Sequence, residues 1–299
     1  WEKELGQSIA NGRFGENLTT SGIDVNSALV GERWKIGTTI LEVSQPRIPC
    51  RVFAGFWQRP TLIKEFMASG KPGTYLRIIQ EGHISAGDEI VVISAHYDHI
   101  GYDRGEICNG ADDDGLGTSS LLSISKAFQK AFEEGNKPQR GILFLAVSGE
   151  EKGLFGSQFY TENPVFPLSK TIVDLNIDMV GRQDTIQQDN NYIYLIGSDR
   201  ISKELHTINE QINKKHVGFK LDYTYNAKDD PNNFYQRSDH YNFAKNNIPV
   251  IFYFGGLHED YHQPTDDFEK IDFLKLERVS RFVFLTAWEL AYRKKTLSK

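Results

Sequence analysis

The sequence predicts an α/β fold, a mostly parallel sheet with helices on both faces, preceded by a partial small β-barrel region. Three observations lead there. After about residue 100, short apolar strands alternate with amphipathic helices, the rhythm that builds a parallel sheet covered on both sides. Before residue 90, short β-branched stretches are instead separated by Gly-, Pro- and Asn-rich turns. Polar clusters recur where the strands of the later part end, the edge at which such sheets bind ligands.

In chain order, "RWKIGTTILEVSQPRIPC" has β-branched alternation, and "GTYLRIIQEGHISAGDEIVVIS" reads as a hairpin turning near His83–Gly87. Ile90–Ile93 is a short, bounded apolar run suited to a core strand that ends in "SAHYDH". Thr118–Glu134 reads as a helix with Leu121, Ile124, Phe128 and Phe132 on one stripe and Gly135 as its stop. "GILFLAVS" (141–148) and "TIVDLNID" (171–178) are strands, with "GLFGSQFY" opening a helix between them, and "PVIFYF" (249–254) is a further strand. Ile271–Lys295 closes the chain as a long amphipathic helix whose final Arg293, Lys294 and Lys295 suit the helix dipole.

Composition narrows the partners. The 299 residues suffice for one large α/β domain or two smaller ones, with 39% apolar and 25% charged residues as in an ordinary globular protein. A net charge of -6 gives no electrostatic reason to expect nucleic acid or an anionic membrane surface, and no apolar run approaches a membrane span. The start at Trp1 reads as a processed or trimmed product, with no targeting segment in this chain. Two cysteines, Cys50 and Cys108, make no disulfide framework.

The strand-end clusters carry the chemistry. They are "SAHYDH" (94–99), "SGEE" (148–151), "NIDMVG" (176–181) and "HEDYHQPTDD" (258–267), with "NGADDDGLG" (109–117) just before the first helix of the later part. Any one of these is ordinary alone: a strand-end His is usually solvated, and Asp112–Asp114 suits a helix N-terminus. Five at one sheet edge point to a divalent metal site. So many carboxylates call for two cations sharing a bridging carboxylate rather than one. "DDDGLG" lacks the spacing and later Glu of a calcium loop.

From about residue 89 onward the chain resembles the M28 family of zinc peptidases, on "SAHYDHIG", "NGADDDGLGT", "SGEEKGLFGS", "NIDMVGR", "SDHYNFAKNNIPVIFY" and "YHQPTDD" in that order. The resemblance implies a zinc aminopeptidase-like fold over 89–299, an aminopeptidase activity on peptides, and two Zn2+ per chain. It implies that His96 and Asp178 hold one ion, Glu151 and His262 the other, and Asp113 bridges them, with Asp112 and Asp114 as fallback choices. Asp98 would orient His96, Glu150 would be the general base, and Tyr261 would aim a hydroxyl at the oxyanion. Arg237 and Asp239 of "QRSDHY" are candidate substrate contacts, with a capping or ion-pair role the alternative; His99 receives no role. A glutaminyl-cyclase-like acyl transferase is a same-fold alternative. The family resemblance also implies an exported protein, periplasmic or extracellular.

Residues 1–88 resemble part of a MOSC domain, closest to the group that reduces N-hydroxylated purines, on "GRFGENLTTSGIDVNSALVGERWKIGTTILEVSQPRIPC" and "SGKPGTYLRIIQEGHISAGDEI". That resemblance makes Cys50 the candidate ligand of a molybdenum cofactor, against an inert buried cysteine, and usually implies a cytosolic protein. The family's His-Gly-Gly motif does not occur in this stretch. The chain thus reads as two partial domains joined near Gly87–Ile93, with the MOSC hairpin serving the peptidase sheet. A cofactor-binding MOSC module with a passive peptidase part is the rival function. Oligomeric state is not legible.

Overall fold

A computed structural model describes residues 27–36, 39–46, 57–59, 61–69, 74–80, 89–103 and 105–299. The chain divides into two compact units, Trp1–Ala86 and Gly87–Lys299. Cys50 and the expected turn near His83–Gly87 lie outside the described residues.

In the first unit, β1 (Arg33–Ile36), β2 (Thr39–Pro46) and β3 (Thr74–Gln80) form an antiparallel sheet in the order β1-β2-β3, and α1 spans Leu62–Ala68. Trp34, Leu41 and Val43 are buried in it, and Glu42 holds Arg33 (2.9 Å) and Arg77 across the strands.

The second unit is built on a six-stranded sheet. Its strands are β4 (Ile90–His96), β7 (Gly141–Val147), β8 (Thr171–Asp178), β9 (Tyr192–Ile196), β10 (Lys220–Asp222) and β11 (Val250–Phe254), in the order β10-β9-β11-β8-β4-β7. β7, β4, β8 and β11 run parallel, while β9 meets β11 antiparallel and β10 follows β9. A small hairpin of β5 (Gly101–Asp103) and β6 (Glu106–Cys108) follows β4. Because both edges of β4 are taken by β7 and β8, it offers β3 no free edge. The expected hairpin between residues 74 and 94 does not form; β3 pairs with β2.

Helices cover both faces. Period-two alternation sends Val91, Ile93 and Ala95 of β4 to one face, where they join one core with residues of α2 (Leu116–Glu133), α4 (Lys203–Ile212) and α6 (Phe273–Tyr292). Ile90 and Val92 go to the other, against Tyr160 of α3 (Phe155–Glu162) and Phe243 of α5 (His240–Lys245). On α2, Leu121, Ile124 and Phe128 are buried as expected, but Phe132 at the far end is exposed. The closing helix stops at Tyr292, so Arg293, Lys294 and Lys295 lie beyond it rather than in its last turn. Arg293 instead pairs with Glu204. No helix of the described residues is long and apolar enough to cross a membrane.

Candidate metal centre and active site

The four parallel strands point their carboxyl ends to one edge, and the polar clusters follow from that. His96 and Asp178 are the last residues of β4 and β8, and Glu150 and Glu151 follow β7. The loop after β11 brings His258, Tyr261, His262 and Asp266. The turn Ala111–Gly115 brings three aspartates to the start of α2.

That turn separates the aspartates. Asp112 accepts the Gly181 N–H (2.6 Å) and lies 3.2 Å from His258 Nε2. Asp114 accepts the N–H groups of Gly117 (2.9 Å) and His96 (3.2 Å). Asp113 presents its carboxylate to two imidazoles at once, Oδ1 at 3.3 Å from His96 Nε2 and Oδ2 at 3.2 Å from His262 Nε2. Asp266 fixes the turn by accepting the N–H groups of Asp112 and Asp113. Two glycines make room. A Cβ on Gly117 would come within 2.5 Å of Ile177 O, and one on Gly110 (φ +61°) would strike the His99 ring at 2.3 Å.

Two groups of donors result. His96 Nε2 is 3.3 Å from Asp113 Oδ1, 3.7 Å from Asp178 Oδ1 and 4.0 Å from Glu150 Oε2. His262 Nε2 is 3.2 Å from both Asp113 Oδ2 and Glu151 Oε2. Two ligands of one tetrahedral zinc, each about 2.1 Å from it, stand about 3.4 Å apart, so these spacings fit a shared cation. The unpartnered atoms fit it too. His96 Nε2 and Asp178 Oδ1 are buried without a hydrogen bond among the described residues. Leaving each so costs about 1–3 kcal/mol.

With only protein groups present, the charges strain against one another. Burial opposes a proton on His96, yet Asp113 and Asp178 hold its pKa well above that of an ordinary histidine. His262 is likewise pushed up to about 9 against its burial, by Asp113 and Glu151. Burial, then the Asp178 charge, raises Glu150 to about 9.

The remaining expected residues fall out as follows. His96 Nδ1 is nearer the Asp98 carbonyl oxygen (3.1 Å) than the Asp98 carboxylate (3.6 Å), so the backbone is the closer orienting group. The carboxylate accepts from Glu150 N (3.4 Å) and so links the two loops. The Tyr261 ring stacks on His262 at 3.8 Å, and its hydroxyl accepts from Arg237 Nη2 (3.1 Å). Arg237 and Tyr261 line an open pocket together with Asp113, Glu150, Asp178 and His262, and its apolar lining is Met179, Phe234, Phe252, Phe254 and Leu257. Asp239, expected as a substrate contact, does not line it; it is buried and accepts from Ser157 Oγ (2.5 Å). It stands at the N-cap of α5 but makes no capping hydrogen bond.

Sequence reasoning missed two neighbours. His99 Nδ1 lies 2.7 Å from Glu151 Oε1, and His99, Asp113 and Glu151 stand close enough together to share a cation. The signal was a second imidazole three residues after His96. Ser238 donates to Asp178 Oδ2 (2.7 Å) and accepts from Asn176 Nδ2 (2.8 Å), which leaves Asp178 Oδ1 facing His96.

A comparison with protein families matches residues 78–287 to the model of peptidase family M28, which is more than half of the chain. The chain belongs to peptidase family M28. A MOSC domain model matches residues 1–91. Among curated relatives, the uncharacterized protein YflK of Bacillus subtilis is 31% identical over 94 residues, 31% of this chain and 42% of that protein. A vacuolar membrane protease of Verticillium alfalfae is 36% identical over 113 residues, 37% of this chain and 9% of that protein. The chain therefore spans less than half the length of either. Among solved structures, the chain resembles BSAP, a zinc aminopeptidase from Bacillus subtilis, with TM-score 0.55 and 23% identity over 75% of this chain and 52% of that one. A Bacteroides thetaiotaomicron glutaminyl cyclase matches with TM-score 0.55 and 20% identity over 70% of this chain and 74% of its own. At these identities the likeness is one of fold.

Proposed function

We propose that the chain is a zinc-dependent aminopeptidase with a two-ion site. His96 and Asp178 hold one ion, Glu151 and His262 the other, and Asp113 bridges them. The reading rests on one observation above all: the two oxygens of Asp113 face two separate imidazoles, each joined by a further carboxylate at 3.2–3.7 Å. Zinc bound there would acidify the attacking water and draw charge from the scissile carbonyl. Glu150, on the pocket wall, takes the proton of that water and returns it to the leaving amine. Asp98 holds His96 in the tautomer that leaves Nε2 its lone pair, through the carbonyl beside Nδ1. The Tyr261 hydroxyl, held by Arg237, donates toward the developing oxyanion.

The test is metal content with activity. Purified protein is expected to carry two zinc ions per chain, to cleave an aminoacyl-anilide, to lose that activity to a chelator and to regain it with zinc. No activity in the zinc-loaded protein would end the reading. One zinc per chain together with cyclisation of N-terminal glutamine would favour the cyclase alternative that the glutaminyl cyclase neighbour raises.

A further inference from the structure

Arg237 is the single lysine or arginine among the residues that line the pocket. Other cations around this loop are paired: Arg182 and Lys270 both contact Asp260, at 2.7 and 2.5 Å. Arg237 forms no ion pair among the described residues. Its guanidinium sits 4.8 Å from the Phe234 ring centroid, and one Nη2 proton goes to Tyr261. The ring contact and the hydrogen bond restrain the side chain, so less of its freedom remains to be lost when an anion docks. The free donors suit a planar, bidentate acceptor, and a carboxylate is that shape.

Position limits which carboxylate. Tyr261 bridges Arg237 to His262, so the guanidinium stands one side chain away from the donor cluster. Successive Cα atoms are about 3.8 Å apart, so a carboxylate carried by either residue flanking the scissile bond falls within reach. We propose that Arg237 anchors a substrate carboxylate, which makes the preferred substrates short acidic peptides. This rests on the peptidase reading above. The carboxylate is either the free C-terminus of a dipeptide or the side chain of an N-terminal Asp or Glu.

The experiment measures binding, so it needs no turnover. Zinc-loaded Glu150→Gln protein is titrated calorimetrically with Leu-Leu, with its neutral amide Leu-Leu-NH2, and with Glu-Leu-NH2. At least one of the two carboxylate ligands should bind about tenfold or more tightly than Leu-Leu-NH2, as a charge-assisted hydrogen bond predicts, and which one does so identifies the source. Adding Arg237→Gln should bring that ratio to about one, and Arg237→Lys, which keeps the charge without the fork, to an intermediate value. A ratio near one with Arg237 intact, or a ratio that survives Arg237→Gln, overturns the proposal. Turnover of Leu-Leu, Leu-Leu-NH2 and Glu-Leu-NH2 by the unaltered enzyme is measured separately. Its absence beside an intact binding ratio would sink the peptidase reading and leave the carboxylate site standing.

Discussion

Replacing Glu150 by Gln keeps the side chain's size and its place 4.0 Å from His96 Nε2 while removing its capacity to take a proton. Because Glu150 is not among the groups proposed to hold zinc, we expect kcat to fall by about 10²–10⁴ with zinc content unchanged. Turnover within twofold of the parent would remove Glu150 from the general-base role. Asp239 carries a different consequence. Burial, opposed by the Ser157 hydrogen bond, raises its pKa from 3.8 to about 6, and its second oxygen has no partner. The folded state therefore binds more protons than the unfolded one between about pH 4 and 6. Its stabilising contribution is full below about pH 4 and is lost as pH rises through 6. A shift of about two pK units corresponds to at most about 3 kcal/mol. Asp239→Asn, which can still reach Ser157, should raise the melting temperature of the metal-free protein at pH 7.5, with the gain fading at pH 4. An equal gain at both pH values would contradict this. Individual ligand candidates were legible because His, Asp and Glu at strand ends have few structural uses together. Ser238 was not, because a serine opening a helix reads as a cap.

At the scale of elements, β4, β8 and the start of α5 share a buried polar row that ends at the proposed ligand Asp178. Ser94 Oγ lies 2.8 Å from Asp174 Oδ1 and 2.9 Å from Asn176 Oδ1, and Asn176 Nδ2 donates to Ser238, which donates to Asp178. Ser94 has one proton for two acceptors. Burial pushes the Asp174 carboxyl well above the usual carboxylate range, which favours its neutral form beside Ser94. Asn176→Ala breaks the row at its middle. Zinc affinity, read by competition with a chromophoric chelator, should fall about 10–100-fold, as happens when the partner of a metal ligand is removed. Asp174→Asn, which keeps a neutral donor, should stay close to the parent; unchanged affinity in Asn176→Ala would show that Asp178 needs no such support. Apolar alternation made these strands readable, but the row was not. Ser94 and Asn176 become neighbours only through the parallel register of β4 on β8, and no local pattern encodes that pairing. β9, β10 and α4 were missed for a related reason, since the stretch from 183 to 237 is loop-rich and its short strands carry no flanking motif.

For the whole molecule, the order of motifs revealed a change of design near residue 88, but not how the sheets are arranged. Strand pairing depends on which edges are free, and β4 has none left for β3. The two units thus keep separate sheets, and every proposed zinc ligand belongs to Gly87–Lys299. A ligand that binds only the folded form of one unit stabilises that unit by RT ln(1 + [L]/Kd) and leaves the other where it was. Scanning calorimetry of the zinc-loaded chain should therefore resolve two transitions rather than one. A chelator should lower only the transition that disappears from far-UV signals of the α/β unit, by about 10 °C or more if it removes several kcal/mol from a unit of this size. A single transition that moves as a whole on chelation would mean the units unfold together, with the metal site holding both.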